Sequence, residues 1–286
     1  MLLTIFTPTY NRAHLLPQLF ESLQNQDSFD FEWLIVDDGS TDATRELVEQ
    51  FKVKADFSIR YIFQENQGKH VAINKAFEKT NTPFIMTVDS DDILMKNALM
   101  ILSKKIRRIL NEPKMVAICS PIKRKSSTDL LINQVIKEDF ISNSFELENK
   151  HKIKGEFSFV LKTEIVKAYP YPVFPGEKFM NESYLYKRLS ERYNYLYISE
   201  SLVEAEYQED GLSANFKRIL NESPKGAALT YQYLMNNSKY SMDKRVQEAL
   251  NYWDYETLGG NLSFVQKLKK IKSPVLKLKF IIKKFI

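Results

Sequence analysis

Four apolar runs between Leu2 and Val88 each stop at a cluster of polar side chains, and helical periodicity fills the gaps between them. Leu2–Thr7, Phe31–Asp37, Ile59–Phe63 and Pro83–Val88 are short and rich in β-branched and aromatic residues, as buried strands are. Between them Ala13–Asn25, Ala43–Phe51 and Val71–Lys79 predict helices; in the first, Leu15, Leu16, Leu19, Phe20 and Leu23 recur at helical spacing. Met95–Leu110 predicts another helix and Met115–Ser120 another strand. Strands that alternate with crossover helices fold as α/β, a parallel sheet covered on both faces. Such sheets bind ligands beyond the C-terminal ends of their strands.

Polar residues stand at just those ends. The first strand runs into Pro8-Thr9-Tyr10-Asn11-Arg12 and the second into Asp37-Asp38-Gly39-Ser40. The third runs into Glu65-Asn66-Gln67-Gly68-Lys69 and the fourth into Asp89-Ser90-Asp91-Asp92. Three carboxylates within four residues repel one another and raise each other's pKa. A divalent cation relieves that repulsion, and carboxylate oxygens are the hard ligands that Mg2+ and Mn2+ prefer and share with substrate phosphates. Taken singly, each cluster has a plainer reading: Asp37-Asp38-Gly39-Ser40 as a turn with Ser40, Thr41 or Asp42 as a helix cap, Lys69 as a solvated lysine. No G-x-G-x-x-G follows a strand and no G-x-x-x-x-G-K-[ST] occurs, which argues against a dinucleotide fold or a P-loop.

The net charge of +5 is local. Residues Phe264 to Ile286 hold eight lysines and no acid; without them 33 basic residues face 36 acidic ones, a balance of −3. A mildly acidic body argues against a broad nucleic-acid surface. The single cysteine, Cys119, lies in the apolar run Met115–Cys119 and reads as a small core residue; one cysteine excludes an internal disulfide. The N-terminus lacks the basic region and apolar length of a signal peptide, and no run approaches the roughly 18 apolar residues of a spanning helix, so the expected location is cytoplasmic.

Beyond the first 120 residues the pattern loosens. Residues 121–155 are polar and irregular and predict a loop region or flap. Glu156–Lys162, Asn194–Ile198 and Leu202–Tyr207 predict strands and Glu182–Arg192 a helix; from Ala214 onward the pattern is helical, broken near Pro224, Gly259-Gly260 and Pro274.

Order and spacing of these motifs resemble glycosyltransferase family 2, the nucleotide-sugar-dependent enzymes of the GT-A fold, of the kind that build bacterial cell-surface polysaccharides. The residues that carry the likeness are Thr7–Arg12, Trp33–Asp42, Asn66–His70 with Ala72 and Asn74, and Asp89–Asp92. The resemblance implies a Rossmann-like, mostly parallel central sheet over residues 1–215, with a nucleotide-sugar half at 1–105 and an acceptor half at 106–215. Residues 216–286 would form a C-terminal helical extension. It further implies an inverting transferase moving a hexose from a UDP-sugar to a glycan or lipid-linked oligosaccharide, with Mn2+ or Mg2+. Pro8, Thr9 and Tyr10 would line the nucleoside pocket and Asp38 would accept from the uracil N3–H. Lys69 would neutralise phosphate charge and Arg12 and Gly68 would be further substrate contacts; apart from the resemblance, His70 adjoins Lys69 and is a candidate phosphate contact. Asp89 and Ser90 would lie near the ribose, and Asp91 with Asp89 would hold the metal.

Inversion needs one base for the acceptor hydroxyl. Family members often carry Glu-Asp at the start of a helix where this chain has Asn181-Glu182, so Glu182 is the expected base and Glu177 the alternative. Many relatives place a histidine after that helix; here only His14, His70 and His151 exist, and His14 is expected to pack in the first helix. Any closing contact from Tyr207–Ser213 must use other chemistry. In the tail, lysines alternate with Leu, Ile, Val and Phe, a pattern suited to an anionic membrane surface, to a docked terminal helix or to a partner protein. Two other functions compete: a nucleotidyltransferase, which would want a Gly-rich Lys-containing loop where Pro8-Thr9-Tyr10 stands, and a catalytically silent sugar-nucleotide-binding or scaffold subunit.

Overall fold

The computed structural model describes residues 1–28, 30–125, 127–205 and 215–285. The alternation is present as β1 (Leu3–Thr9), α1 (Leu16–Gln24), β2 (Phe31–Asp37), α2 (Thr44–Lys54), β3 (Ser58–Phe63), α3 (Lys69–Lys79) and β4 (Phe84–Thr87). Then come β5 (Ile93–Leu94), α4 (Ala98–Ile109) and β6 (Met115–Pro121). Further along are β7 (Lys123–Arg124), β8 (Phe140–Ser142), α5 (Ser144–Asn149), β9 (Phe157–Lys162), α6 (Thr163–Val166), α7 (Ser183–Leu189), β10 (Asn194–Tyr197) and β11 (Val203–Ala205). The C-terminal helices are α8 (Phe216–Glu222), α9 (Pro224–Asn236), α10 (Met242–Gly259), α11 (Phe264–Lys270) and α12 (Pro274–Phe285).

Two compact units divide the chain. The first holds residues 1–170 and 185–208, the second residues 171–184 and 209–286. The expected unit 1–215 did not anticipate that the segment carrying Glu177 and Glu182 groups with the C-terminal helices rather than with the sheet.

In the first unit an eight-stranded sheet has the order β3-β2-β1-β4-β9-β6-β10-β8. β1 is parallel to β2 and β4, β2 to β3, and β6 to β10; β9 runs antiparallel between β4 and β6, and β8 closes the edge antiparallel to β10. The mostly parallel sheet expected from the sequence is therefore present, with one reversed strand in its interior. A short second sheet, β5-β11-β7, lies in the same unit. Side chains alternate across the strands. Ile5, Trp33, Ile35, Phe84 and Met86 join Leu16, Leu19 and Leu23 of α1, Val48 and Phe51 of α2, and Leu102 and Ile106 of α4 in one core. Phe6, Leu34, Val36 and Ile85 alternate with these and are fully buried on the opposite side, and α3 packs along β1 and β2 with Ala72, Ile73, Ala76 and Phe77 buried. Trp33 satisfies its indole N–H on Thr7 Oγ1 at 2.9 Å, one polar handle inside an apolar layer.

The stretch 121–155 is more ordered than its composition predicts. Leu131 donates to Ile122 and Glu156 to Leu131, so the chain folds back on itself, and Asn143 caps α5 by accepting from the amides of Phe145 and Glu146. Ile136, Phe145, Leu147 and Ile153 are buried anchors. They are spaced too irregularly, on elements too short, for a periodicity to register.

The second unit is built on α9 packed against α10. Ala228, Met235, Val246, Ala249, Tyr252, Trp253, Ile271, Leu276 and Phe280 form its core. The breaks read from sequence fall at element ends: Pro224 opens α9, Gly259 closes α10 and Pro274 opens α12. α11 starts on a capping box in which Ser263 and Gln266 bond reciprocally. Each unit holds one of the two tryptophans, Trp33 and Trp253. Phe280 is fully buried with its ring 5.2 Å from Trp253. Phe280→Ala is expected to destabilise the second unit by about 3–5 kcal/mol. Urea unfolding followed by Trp253 fluorescence in a Trp33→Phe background measures this, and an unchanged midpoint would contradict the docked position of α12.

Candidate active site

The C-terminal ends of β1, β2, β3 and β4 deliver four loops to one sheet edge, and hydrogen bonds join them in pairs. Asp38 N–H donates to Thr9 C=O at 2.8 Å, Gln64 N–H to Asp37 C=O at 2.9 Å, and Val88 N–H to Phe6 C=O at 2.9 Å. The loop after β1 is tied to the loop after β2. Asn11, in the left-handed region at φ 52°, donates its amide to Ser40 Oγ at 2.8 Å and accepts from Thr41 N–H at 2.8 Å. Ala13 N–H donates to Asp42, which also accepts from the amide and hydroxyl of Thr44. Ser40 and Thr41, expected as helix caps, therefore serve the neighbouring loop instead, and of the three only Asp42 bonds an amide at the start of α2. His14 does not pack in α1; it is exposed in the turn before it.

Asp38 is the centre of a second junction. Its Oδ1 accepts from Gln64 Nε2 at 2.7 Å and Gln67 N–H at 2.9 Å, and its Oδ2 from Gly68 N–H at 2.7 Å. The carboxylate is buried, so these bonds act with little solvent competition. Asp37 is buried too, accepting from Ser40 N–H and from the Tyr61 hydroxyl, whose pKa rises through burial and through that bond. Two glycines make the approach of the loops possible. Gly39 has φ 89°, and a Cβ there would stand 2.8 Å from Asn66 N; Gly68 has φ 98° at the entry to α3.

α3 then begins at Lys69, whose Nζ donates to Asp89 Oδ2 at 2.8 Å. Asp89 Oδ1 is buried without a hydrogen-bond partner among the described residues, as are Thr9 Oγ1, Gln64 Oε1 and His70 Nδ1. Burial lowers the His70 pKa against the pull of Asp38. The acidic turn is strained electrostatically: burial and then Asp89 raise the Asp91 pKa, with Arg12 and Lys69 opposing. Asp92 is raised well above the usual carboxylate range by burial, Asp89 and Asp91. The turn is pinned on both sides, by Val88 on β1 before it and, after it, by Leu94 N–H donating to Ser22 Oγ and Gln26 Nε2 to Met95 C=O.

Of the residues expected from sequence, the structure brings Pro8, Thr9, Tyr10, Arg12, Asp38, Gly68, Lys69, Asp89, Ser90 and Asp91 to this edge. Tyr10 is half exposed, while Thr9 and Ser90 are buried. Gln64 and Tyr61 were not singled out, and Asn11 only as part of the run after the first strand; the one signal for Gln64 was a polar residue directly after an apolar strand. Among the described residues no three His, Cys, Asp or Glu side chains converge as a ready-made metal cage. The donor set nonetheless fits a hard cation, since Asp89 keeps a buried oxygen without a partner and Asp91 has its charge opposed by Asp89.

The two candidate bases lie in the second unit. Glu177 is committed: its Oε1 accepts from Lys225 N–H and its Oε2 from Gly226 N–H, both at 2.9 Å, so it caps α9 from another segment. It is buried, and the alternative reading of Glu177 as base loses its ground. Glu182 is partly exposed immediately before α7, which is shorter than the expected Glu182–Arg192; its carbonyl accepts from Tyr171 OH. The closing segment Tyr207–Ser213 lies outside the described residues.

The model of the family described as Glycosyl transferase family 2 matches residues 4–167. A curated relative, GalNAc(5)-diNAcBac-PP-undecaprenol beta-1,3-glucosyltransferase of Campylobacter jejuni, is 35% identical over 105 residues, 36% of this chain and 34% of that protein. The first relatives matched are spanned over only 14% to 39% of their length. Among solved structures, S. aureus TarS 1-349 aligns with TM-score 0.62 at 17% identity, over 98% of this chain and 81% of that one. The same protein in complex with UDP-GlcNAc aligns with TM-score 0.57 at 18% identity, over 98% and 79%. A mannosyltransferase from Pyrobaculum calidifontis in complex with GDP-Man and Mn2+ aligns with TM-score 0.59 at 16% identity, over 99% and 76%. These likenesses establish a GT-A fold.

The Asp42 bonds give a pH test of the loop junction. Burial pushes the carboxyl up, but the bonds from Thr44 and Ala13 outweigh it and the pKa is lowered. Wild type should therefore exceed Asp42→Asn in stability at neutral pH. That advantage should shrink below about pH 4, the ordinary carboxylate value, and vanish once pH passes the folded value. Urea midpoints of both proteins between pH 7 and acid check the sign.

Proposed function

The chain belongs to glycosyl transferase family 2, and on that premise we propose that it moves a sugar from a UDP-sugar to a glycan or lipid-linked oligosaccharide in cell-surface polysaccharide synthesis. The transfer inverts the anomeric carbon, uses Mn2+ or Mg2+, and takes place with the protein attached peripherally to the inner face of the membrane. The observation that carries this reading is Asp89 at the end of β4, whose Oδ2 accepts from Lys69 Nζ while its Oδ1 is buried without a hydrogen-bond partner among the described residues. The relative from Campylobacter jejuni, named for an undecaprenol-linked acceptor, and the UDP-GlcNAc complex of TarS support the choice of donor and acceptor class.

In this reading Pro8, Thr9 and Tyr10 hold the nucleoside. Asp38 carries three donors already; a carboxylate offers about four acceptor sites, which leaves one for the uracil N3–H. Arg12, Gly68 and Lys69 receive the diphosphate at the start of α3. Asp89, with Ser90, would lie by the ribose, and Asp89 and Asp91 would hold the metal. Bound there, the cation neutralises charge on the departing diphosphate. Glu182, partly exposed just before α7, takes the proton of the acceptor hydroxyl.

Thermal unfolding with UDP, GDP, CDP and ADP, each with and without Mn2+, tests the donor assignment. Stabilisation by UDP that needs the metal and disappears in Asp91→Asn is expected; an unchanged melting temperature with all four nucleotides would favour a scaffold that binds no donor. A second pair of variants separates the two acids. Glu182→Gln should lose on the order of 10²–10⁴-fold in turnover with UDP binding intact. Glu177→Gln should lose stability, about 0.5–2 kcal/mol, with turnover largely kept. Equal turnover in Glu182→Gln and wild type would remove Glu182 as the base.

A further inference from the structure

Helix α12 is apolar on two sides. Leu276 and Phe280 are fully buried in the core of the second unit. Val275, Leu278, Ile282 and Phe285 are not; each is between 49% and 60% exposed. At a helical 100° per residue these four fall within an arc of about 80°, roughly opposite the docked pair. Docking of the helix therefore does not consume its apolar surface: Val275, Leu278 and Ile282 form an outward ridge, and at its end the Phe285 ring turns toward Trp253 and Phe280, centroids 5.8 and 6.1 Å away. The Phe285 ring lies tilted beside Phe264, centroids 5.8 Å apart, so the apolar surface continues onto Phe264 and Val265 of α11, both more than half exposed.

The lysines around this ridge divide into two groups. Lys267 is buried, donates to Thr257 Oγ1 at 2.9 Å and sits over the Trp253 ring; Lys284 is ion-paired with Asp254. These two belong to the fold. The other six, Lys269, Lys270, Lys272, Lys277, Lys279 and Lys283, make no ion pair among the described residues, and no acid lies between Phe264 and Ile286. On α12, Lys279 and Lys283 flank the ridge on one side and Lys277 on the other. An apolar strip bordered by unpaired cations matches the boundary between headgroups and acyl chains of an anionic bilayer, where the strip enters and the ammonium groups stay among phosphates. Nothing in this face is suited to crossing: no helix among the described residues is long and apolar enough to span a membrane.

We infer that the outward face of α11 and α12 is a docking surface for an anionic phospholipid bilayer, with Leu278 and Ile282 inserted and Lys277, Lys279 and Lys283 at the headgroups. The inference rests on the proposed peripheral attachment and uses no residue of the sugar-nucleotide site. Deleting the tail cannot test it, because Ile271, Leu276 and Phe280 would leave the core with it.

The experiment is co-sedimentation of the full chain with phosphatidylcholine vesicles, with and without phosphatidylglycerol. Wild type is expected to bind only the phosphatidylglycerol vesicles, and more weakly as salt is raised. Lys277→Glu/Lys279→Glu/Lys283→Glu should bind about a hundredfold more weakly, at roughly fivefold per lysine. Leu278→Ser/Ile282→Ser should lose binding while keeping the wild-type unfolding midpoint, since neither side chain is in the core. Asp91→Asn should bind vesicles like wild type even where it loses the response to UDP and Mn2+, which separates failure here from failure of the donor site. Three results overturn the inference. One is wild type that stays in the supernatant with anionic vesicles, and another is equal binding to neutral ones. The third is a dimer in size exclusion, without vesicle binding, that Leu278→Ser/Ile282→Ser dissociates, because the face would then belong to a second copy of the chain.

Discussion

The Asp38 carboxylate is the interaction on which the rest of the site depends. It is buried at the end of β2 and takes its hydrogen bonds from Gln64, Gln67 and Gly68, all on the loop after β3. Those bonds fix where α3 begins, and the start of α3 fixes where Lys69 reaches Asp89. One charge thus sets the spacing between the β2 end of the sheet edge and its acidic turn. A neutral side chain of the same size could not do this, since Asn offers one acceptor oxygen and would point its own N–H groups at amides. The loop geometry also explains why Gly39 and Gly68 stand where they do: the first lets the two loops approach, the second lets the chain turn into the helix.

Much of the parallel half was legible in the sequence because each of its elements is long enough to show its period. β1 to β4 and α1 to α4 appeared within a few residues of their expected bounds. What failed was of two kinds. Short elements such as β7, β8 and α5 hold a few buried anchors, Ile136, Phe145 and Leu147 among them, and a period cannot be read from two or three residues. Side-chain partners chosen across long sequence separations were invisible as well. Glu177 was a reasonable candidate base by composition, and only the position of α9, some 48 residues later, showed that it serves as a cap. Ser40 looked like a cap and bonds Asn11 instead. The motif residues stood out because they form polar runs directly after apolar strands; the braces behind them, Gln64 and Tyr61, follow from the fold and carry no such signature.

The tail shows the same division within a single segment. Composition counted eight lysines as one basic patch. Packing splits them, because Lys267 and Lys284 neutralise and cover groups of α10 while the rest remain in water. Patterning that looked simply amphipathic is a helix with two apolar sides, one of which the protein itself uses. Surface charge in this chain is therefore concentrated more narrowly than its sequence suggests, and concentrated next to the apolar residues that the core leaves uncovered.

The acidic turn has a consequence of its own. Val88 is held by Phe6 before it, and Ser22 and Gln26 of α1 and its end hold Leu94 and Met95 after it. A backbone fastened at both ends has few ways to travel, so the Asp89 and Asp91 side chains can swing on a main chain that stays. Ser22 and Gln26 stand outside every recognition motif, yet they stiffen the hinge-points of the turn. Variation there would loosen the turn without touching a carboxylate, so the stiffness of the acidic turn is set by α1 and the residues just after it rather than by the carboxylates themselves.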